Sequence, residues 1–269
     1  MIARLIAAAC LLLAAVAGAA SAQTMPPNEA GVTMGHWHLN SRDIAANQQI
    51  LVAMGGTAIK AGPLAAVRFP GVIVILQLPG TPAPATGGTV GTVVNHVGFS
   101  VPDVQQAVAR WKAAGVPVEP GANGRTNQAF VTTPDGFRME ILEDKDQTVP
   151  IRSHHVHFFV PEAAIPQIQA WYAKIFGAKP GMRGRNQSDD VPGANLTFTK
   201  TDAPTVGTKG RVLDHIGFDV KNLQEFCKNL EAQGIVLDVP YTKNPNVALA
   251  FIHDPWGTSI ELNERPNPL

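Results

Sequence analysis

Cysteine is nearly absent: the chain has two, Cys10 and Cys227, and the first lies in a leader expected to be removed. A single remaining thiol cannot close an intramolecular disulfide, even in a compartment that would permit one. The fold must therefore stand on its apolar core, and Cys227 is expected to be a small buried residue of it. Excess charge is also absent, with 21 basic and 21 acidic residues and a formal net charge of zero. Such a chain has no field to hold a phosphate backbone, which argues against a nucleic-acid partner. Long apolar runs are missing beyond the N-terminus, so no membrane partner is expected after the leader is cleaved.

The leader itself has a clear pattern. Met1-Ile2-Ala3-Arg4 gives a positive start, Leu5 to Ala20 is small and apolar, and Ala20-Ser21-Ala22 gives an A-x-A cleavage site. This reads as a secretory signal peptide, residues 1–22, with the mature chain starting at Gln23 in the periplasm or outside the cell. The apolar run is shorter than the ~20 residues a membrane span usually needs. Cys10 sits too early to be a lipid attachment site. About 247 residues remain, enough for one large domain or two of about 120 residues.

What is present is repetition. Val93-Val94-Asn95-His96-Val97-Gly98-Phe99-Ser100-Val101 parallels Val212-Leu213-Asp214-His215-Ile216-Gly217-Phe218-Asp219-Val220, at an offset of 119 residues. Helical periodicity follows each: Val104, Ala107, Val108 and Trp111 after an Asp103 cap, and Leu223, Phe226, Cys227 and Leu230 after an Asn222 cap. Gly115 and Gly234 stand where those helices should stop. Weaker copies begin at Gly35-His36-Trp37-His38-Leu39, with a helix over Ile44 to Met54, and at His155-Val156-His157-Phe158-Phe159-Val160, with a helix ending near Phe176. His36 and His155 are again 119 apart, and His36–His96 and His155–His215 are each 60 apart. Each helix precedes β-type sequence such as Val72-Ile73-Val74-Ile75-Leu76 or Ala194-Asn195-Leu196-Thr197-Phe198. The second and fourth copies end alike, in Thr133-Pro134-Asp135-Gly136-Phe137-Arg138-Met139-Glu140-Ile141 and Asp254-Pro255-Trp256-Gly257-Thr258-Ser259-Ile260-Glu261-Leu262, a tight turn into a strand bearing a Glu. The expected fold is α+β, four βαβββ modules in two domains, 23–147 and 148–269. Pro- and Gly-rich stretches at 79–91 and 201–210 link the modules within each half.

Seven of the eight histidines lie in the four first strands, and only His253 lies elsewhere. Residues two apart on a strand share a face, so His36 and His38 point together, as do His155 and His157, while His154 points away. The repeat selects one His per module, His36, His96, His155 and His215, and one Glu in each even module, Glu140 and Glu261. Two imidazoles and a carboxylate, with the remaining positions open, suit a divalent ion such as Fe, Zn, Ni or Mn.

The fourfold unit, the first-strand His and the D-P-x-G-x-x-x-E ending of the fourth module resemble the vicinal oxygen chelate superfamily, over nearly all of the mature chain. That superfamily includes glyoxalase I, extradiol dioxygenases, methylmalonyl-CoA epimerase, and fosfomycin and bleomycin resistance proteins. The resemblance implies two glyoxalase-like domains of cupped sheet around a metal that binds adjacent oxygens of a small substrate and stabilises charge on them. A homodimer is compatible with such folds. Two pairings are open. Modules one with two and three with four give His36, His96, Glu140 and His155, His215, Glu261; one with four and two with three give His36, His215, Glu261 and His96, Glu140, His155.

The reaction is less determined. Glyoxalase I carries a further Glu, both ligand and base, at a position matching Val74 or Ile75 here, and Leu196 or Thr197 in the second half; none is a carboxylate. Gln77 and Asn195 are nearby polar residues. Extradiol dioxygenases place a Tyr where this chain has Phe130 and Phe251, and an upstream His where it has Asn127 and Asn246. Fosfomycin-resistance enzymes share the ligand types but are normally cytoplasmic single-domain dimers, and bleomycin-type binders keep the fold without metal. The expectation is a metal-dependent enzyme, lyase, isomerase or ring-cleaving dioxygenase, with His38 or His157 as general base. The alternative is an exported binding or sequestration protein of the same fold without catalysis.

Overall fold

A computed structural model describes residues 25–80 and 82–265; the expected leader lies outside the described residues. Module one comprises β1 (Val32–Leu39), α1 (Ile44–Ala53), β2 (Thr57–Ala61), β3 (Leu64–Phe69) and β4 (Val72–Ile75). Module two has β5 (Val94–Val101), α2 (Val104–Ala113), β6 (Val118–Pro120), β7 (Gln128–Thr132) and β8 (Arg138–Glu143). Module three has β9 (Arg152–Val160), α3 (Ile165–Phe176), β10 (Lys179–Arg183), β11 (Asn186–Val191) and β12 (Ala194–Lys200). Module four has β13 (Leu213–Val220), α4 (Leu223–Ala232), β14 (Val239–Lys243), β15 (Ala248–His253) and β16 (Ser259–Glu264). The fourfold βαβββ reading of the sequence is the observed order of elements.

Two eight-stranded mixed sheets result, with orders β14-β15-β16-β13-β1-β4-β3-β2 and β10-β11-β12-β9-β5-β8-β7-β6. In every module the first strand pairs in parallel with the last and the remaining pairs are antiparallel. Modules join through their first strands, β1 against β13 and β5 against β9, both antiparallel. Module one therefore pairs with four, and two with three. The duplication divides the sequence near 144–152, yet each sheet takes one module from each half. The 79–91 and 201–210 linkers run against each other, through a bridge of Thr92 to Val206 and backbone hydrogen bonds from Val206 to Gly91 and from Thr86 to Gly210.

The helices and the outer sheet faces share one core. Trp37, Phe99, Phe137, Phe158 and Phe218, which alternation alone leaves undecided between core and pocket, are all fully buried in it. Trp37 meets Phe99 edge-on at 5.3 Å between ring centroids, tying one sheet to the other. Cys227 is buried and free, as expected. Asp43 and Asp103 cap α1 and α2 by accepting from Ala46 and Gln106 N–H, which satisfies donors the first turn leaves open. The expected Asn222 cap is not made. Asn222 adopts a left-handed φ of 53°, and the Glu264 carboxylate accepts the N–H groups of Asn222 and Leu223 instead.

Candidate metal centres

Each seam between first strands builds one cluster. In the β1–β13 register His38 stands opposite His215, and His36 stands opposite Gly217. A Cβ on residue 217 would overlap the His36 ring, so the glycine makes room for an imidazole from the other half. Parallel pairing of β13 with β16 sets Gly217 beside Glu261. The Nε2 atoms of His36 and His215 each lie 3.0 Å from Glu261 Oε2, and His38 Nδ1 lies 3.8 Å from it. The other oxygen, Oε1, accepts from Asn263 at 2.8 Å. His215 Nδ1 donates to Asp214 at 2.7 Å. His38 Nε2 lies 2.7 Å from the Gln77 carbonyl. A carbonyl only accepts, so Nε2 carries the proton and the Nδ1 lone pair faces the cluster.

The second seam repeats the plan. His157 stands opposite His96, and His155 lies over Gly98, where a Cβ would strike its ring. Glu140 Oε2 is 3.3 Å from His96 Nε2 and 3.0 Å from His155 Nε2. His157 Nδ1 is 3.0 Å from His96 Nε2, and its Nε2 is 2.7 Å from the Thr199 hydroxyl. Gln128 donates to Glu140 Oε1, and Asn95 meets His96 Nδ1 at 2.9 Å. Arg183 adds a cation: its Nη2 is 3.4 Å from His157 Nδ1 and 4.0 Å from Glu140 Oε2.

These donor sets fit a divalent ion. Within each cluster one nitrogen or oxygen from all four residues lies within 4.8 Å of the others. His38 Nδ1 is buried without a partner, and His155 Nε2 is out of line for a hydrogen bond to the carboxylate it nearly touches. Both geometries suit lone pairs aimed at a common point. Burial pushes the His36 and His155 imidazoles down to about 3, against the pull of their carboxylates, leaving them neutral, the form a metal takes. Burial would raise the Glu261 and Glu140 carboxyls, but the facing imidazoles, His215 and His36 at one and His155 and His96 at the other, hold both well below the usual range. His215 differs. Burial lowers it, but Asp214 and Glu261 outweigh that and raise it, the carboxylate–histidine arrangement that orients and strengthens a metal ligand.

All six residues read as ligands are brought together, as His36, His215, Glu261 and as His96, Glu140, His155, and the two proposed bases, His38 and His157, join them. His154 is half-buried against His155. Ile75 and Thr197 stand beside His38 and His157, so no carboxylate replaces the missing one. Phe130 and Phe251 pack edge-on against His96 and His215. Sequence reasoning missed the residues that hold the ligands. Asn95 and Asp214 had a visible signal, since each precedes the repeated His. Gln128 and Asn263 had none, because they hold the second carboxylate oxygen from non-equivalent strands, β7 in one sheet and β16 in the other.

The family model described as Glyoxalase/Bleomycin resistance protein/Dioxygenase superfamily matches residues 69–141 and 152–262. No curated protein sequence matches. Among solved structures, glyoxalase I from Zea mays superposes with a TM-score of 0.65 at 17% identity, covering 87% of this chain and 92% of that one. A candidate dioxygenase from Bacillus subtilis gives 0.65 at 13% identity, covering 91% and 87%.

Proposed function

The chain belongs to the glyoxalase/bleomycin resistance protein/dioxygenase superfamily, and from that premise we propose an exported, metal-dependent enzyme acting on small molecules with adjacent oxygens. The observation that carries the proposal is the convergence of three imidazoles and one carboxylate at the seam of both sheets. A ligand set that survives in both halves is hard to reconcile with a fold kept only for its shape.

We assign His36, His38, His215 and Glu261 to one ion and His96, His155, His157 and Glu140 to the other, with Fe, Zn, Ni or Mn as the candidates. When bound, such an ion polarises adjacent substrate oxygens and stabilises negative charge on them. The protein's part is orientation. Asn263 and Gln128 each tie up one carboxylate oxygen, so each Glu offers only the other. Asp214 holds the His215 ring by its Nδ1 proton, and Gln77 fixes His38 with Nδ1 inward. With its Nε2 proton on a carbonyl, His38 presents the Nδ1 lone pair to the cluster, where we assign it as a ligand; as a general base it would use the same lone pair. It takes, from the neighbouring strand, the place of the carboxylate missing at Ile75. These four residues would hold the ion in each centre, and any positions they leave open would be available to adjacent substrate oxygens.

Metal content tests the reading. The mature protein should carry about two ions per chain, falling to one in Glu140→Gln or Glu261→Gln. No uptake after reconstitution would sink it. Lyase, isomerase and ring-cleaving chemistry would then be separated by assay with the metal found. A second reading, binding without turnover, draws support from Ile75 and Thr197, which stand where a carboxylate base is expected. It predicts that substrates of these classes bind and are recovered unchanged. Export rests on the 1–22 leader; N-terminal sequencing of the released protein should begin at Gln23.

A further inference from the structure

The two clusters match, but the walls beside them do not. Register pairing compares them position by position. In module one His36 pairs with Ile73 and His38 with Ile75; in module three His155 pairs with Asn195 and His157 with Thr197. Paired residues share a face, so these side chains line the cup beside the ligands. One strand further out, Ala66 faces Ile75 where Ser188 faces Thr197. At the outer hairpin Ala61 pairs with Leu64 where Arg183 pairs with Asn186. Five equivalent positions are apolar in one cup and polar in the other.

The packing follows the composition. Ala61, Ala66, Ile73 and Ile75, with Ile59 and Leu64 against them, form an apolar cluster separate from the main core. On the other side, Arg183 Nε donates to Thr197 at 2.7 Å, Thr197 donates to Asn195 at 2.6 Å, and Asn195 donates to Asp190 at 2.8 Å. That chain of hydrogen bonds ends in a guanidinium within 4.0 Å of the Glu140 carboxylate. Arg68, at the register of Asp190, is the one charged residue on the apolar wall, so the contrast lies in the body of the ligand rather than its net charge.

We infer that the two centres of this chain take different ligands with the same oxygen-chelating head: one with an apolar body at the His36 centre, and one with a hydroxyl-rich or otherwise hydrogen-bonding body at the His96 centre, where Arg183 positions it. An apolar body at the polar wall would exclude water from the guanidinium donors of Arg183 that this chain does not use. A hydroxylated body at the Ile73–Ile75 wall would lose its own hydrogen bonds to water and meet aliphatic side chains, with Arg68 beside Ile73 the one polar group there.

This inference rests on the metal reading, and the experiment separates the two. Glu140→Gln leaves only the His36 centre and Glu261→Gln only the His96 centre. Zinc uptake by each is measured first. Calorimetry then compares 1-butyl- and 1-(2-hydroxyethyl)-3-hydroxypyridin-4-one, neutral chelators with one head and different tails. The His36 centre should favour the butyl tail about tenfold or more, the range expected for a few methylenes in an apolar pocket; the His96 centre should show no such preference or the reverse. Ile73→Asn should erase the butyl preference, and Asn195→Ile should create one in the other centre, so the test survives if one exchange fails to fold. Equal ranking at both centres, with zinc bound, overturns the inference alone. Absence of zinc uptake overturns the metal reading and this inference with it.

Discussion

At the residue scale, the decisive atoms are those that turn a histidine-rich strand into a defined ligand set. Asp214, Asn263, Gln77 and Gln128 each spend a hydrogen bond on a ligand rather than on the ion. Asp214→Asn should therefore weaken metal binding at the His36 centre roughly 10–100-fold, the usual cost of losing such a partner, and leave the other centre unchanged, as competition with a chromogenic chelator would show. Equal weakening at both would mean that Asp214 acts through stability. His38→Ala and His157→Ala should cost affinity at their own centres too, because each removes a donor; unchanged affinity with lost turnover would return both residues to the role of base.

Asp189 makes a separate residue-scale prediction. It is buried on β11 with neither carboxylate oxygen hydrogen-bonded, and burial pushes it from 3.8 up to about 7. The folded state holds this proton more tightly than the unfolded chain, so stability falls as pH rises from about 4 to 7. Asp189→Asn should raise stability by up to about 4 kcal/mol at pH 8 and change little at pH 4, read by denaturant melts of variant and parent at each pH. A variant no more stable than its parent at pH 8 would show that the carboxylate is satisfied.

At the element scale, the first strands carry the design. A His-x-Gly sequence in the even modules supplies a ligand at His96 or His215 and, two residues on, a gap for the imidazole of the opposing strand. Gly98→Ala and Gly217→Ala should each cost about 1–3 kcal/mol by overpacking and dislodge His155 or His36, lowering metal content at one centre only. The histidines and glutamates were legible in the sequence because repetition at fixed spacing marks them, and so were the helices, whose apolar period is strong. The α4 cap was not: Asn222 is a good capping residue type, yet Glu264, 42 residues on, does the work. Burial of Trp37 and the phenylalanines was equally hidden, since alternation gives a face but not which face is the core.

At the scale of the whole molecule, the repeat showed how many modules there are but not which ones meet. Both pairings bury the same first strands and gather the same residue types, so nothing local distinguishes them. The contact between Gly217 and His36, across 181 residues of chain, is what separates them, and only the three-dimensional register displays it. Each centre thereby spans both halves of the duplication, while its substrate wall comes chiefly from one odd module. That division allows a shared ligand set to persist while the walls diverge.

Metal counting in two double variants tests this account most directly. His36→Ala with Glu261→Gln damages one centre twice and should leave one ion per chain. His36→Ala with Glu140→Gln damages both and should leave none. The opposite pattern, one ion in the second variant and none in the first, would contradict the pairing of module one with four and with it the structure of both centres.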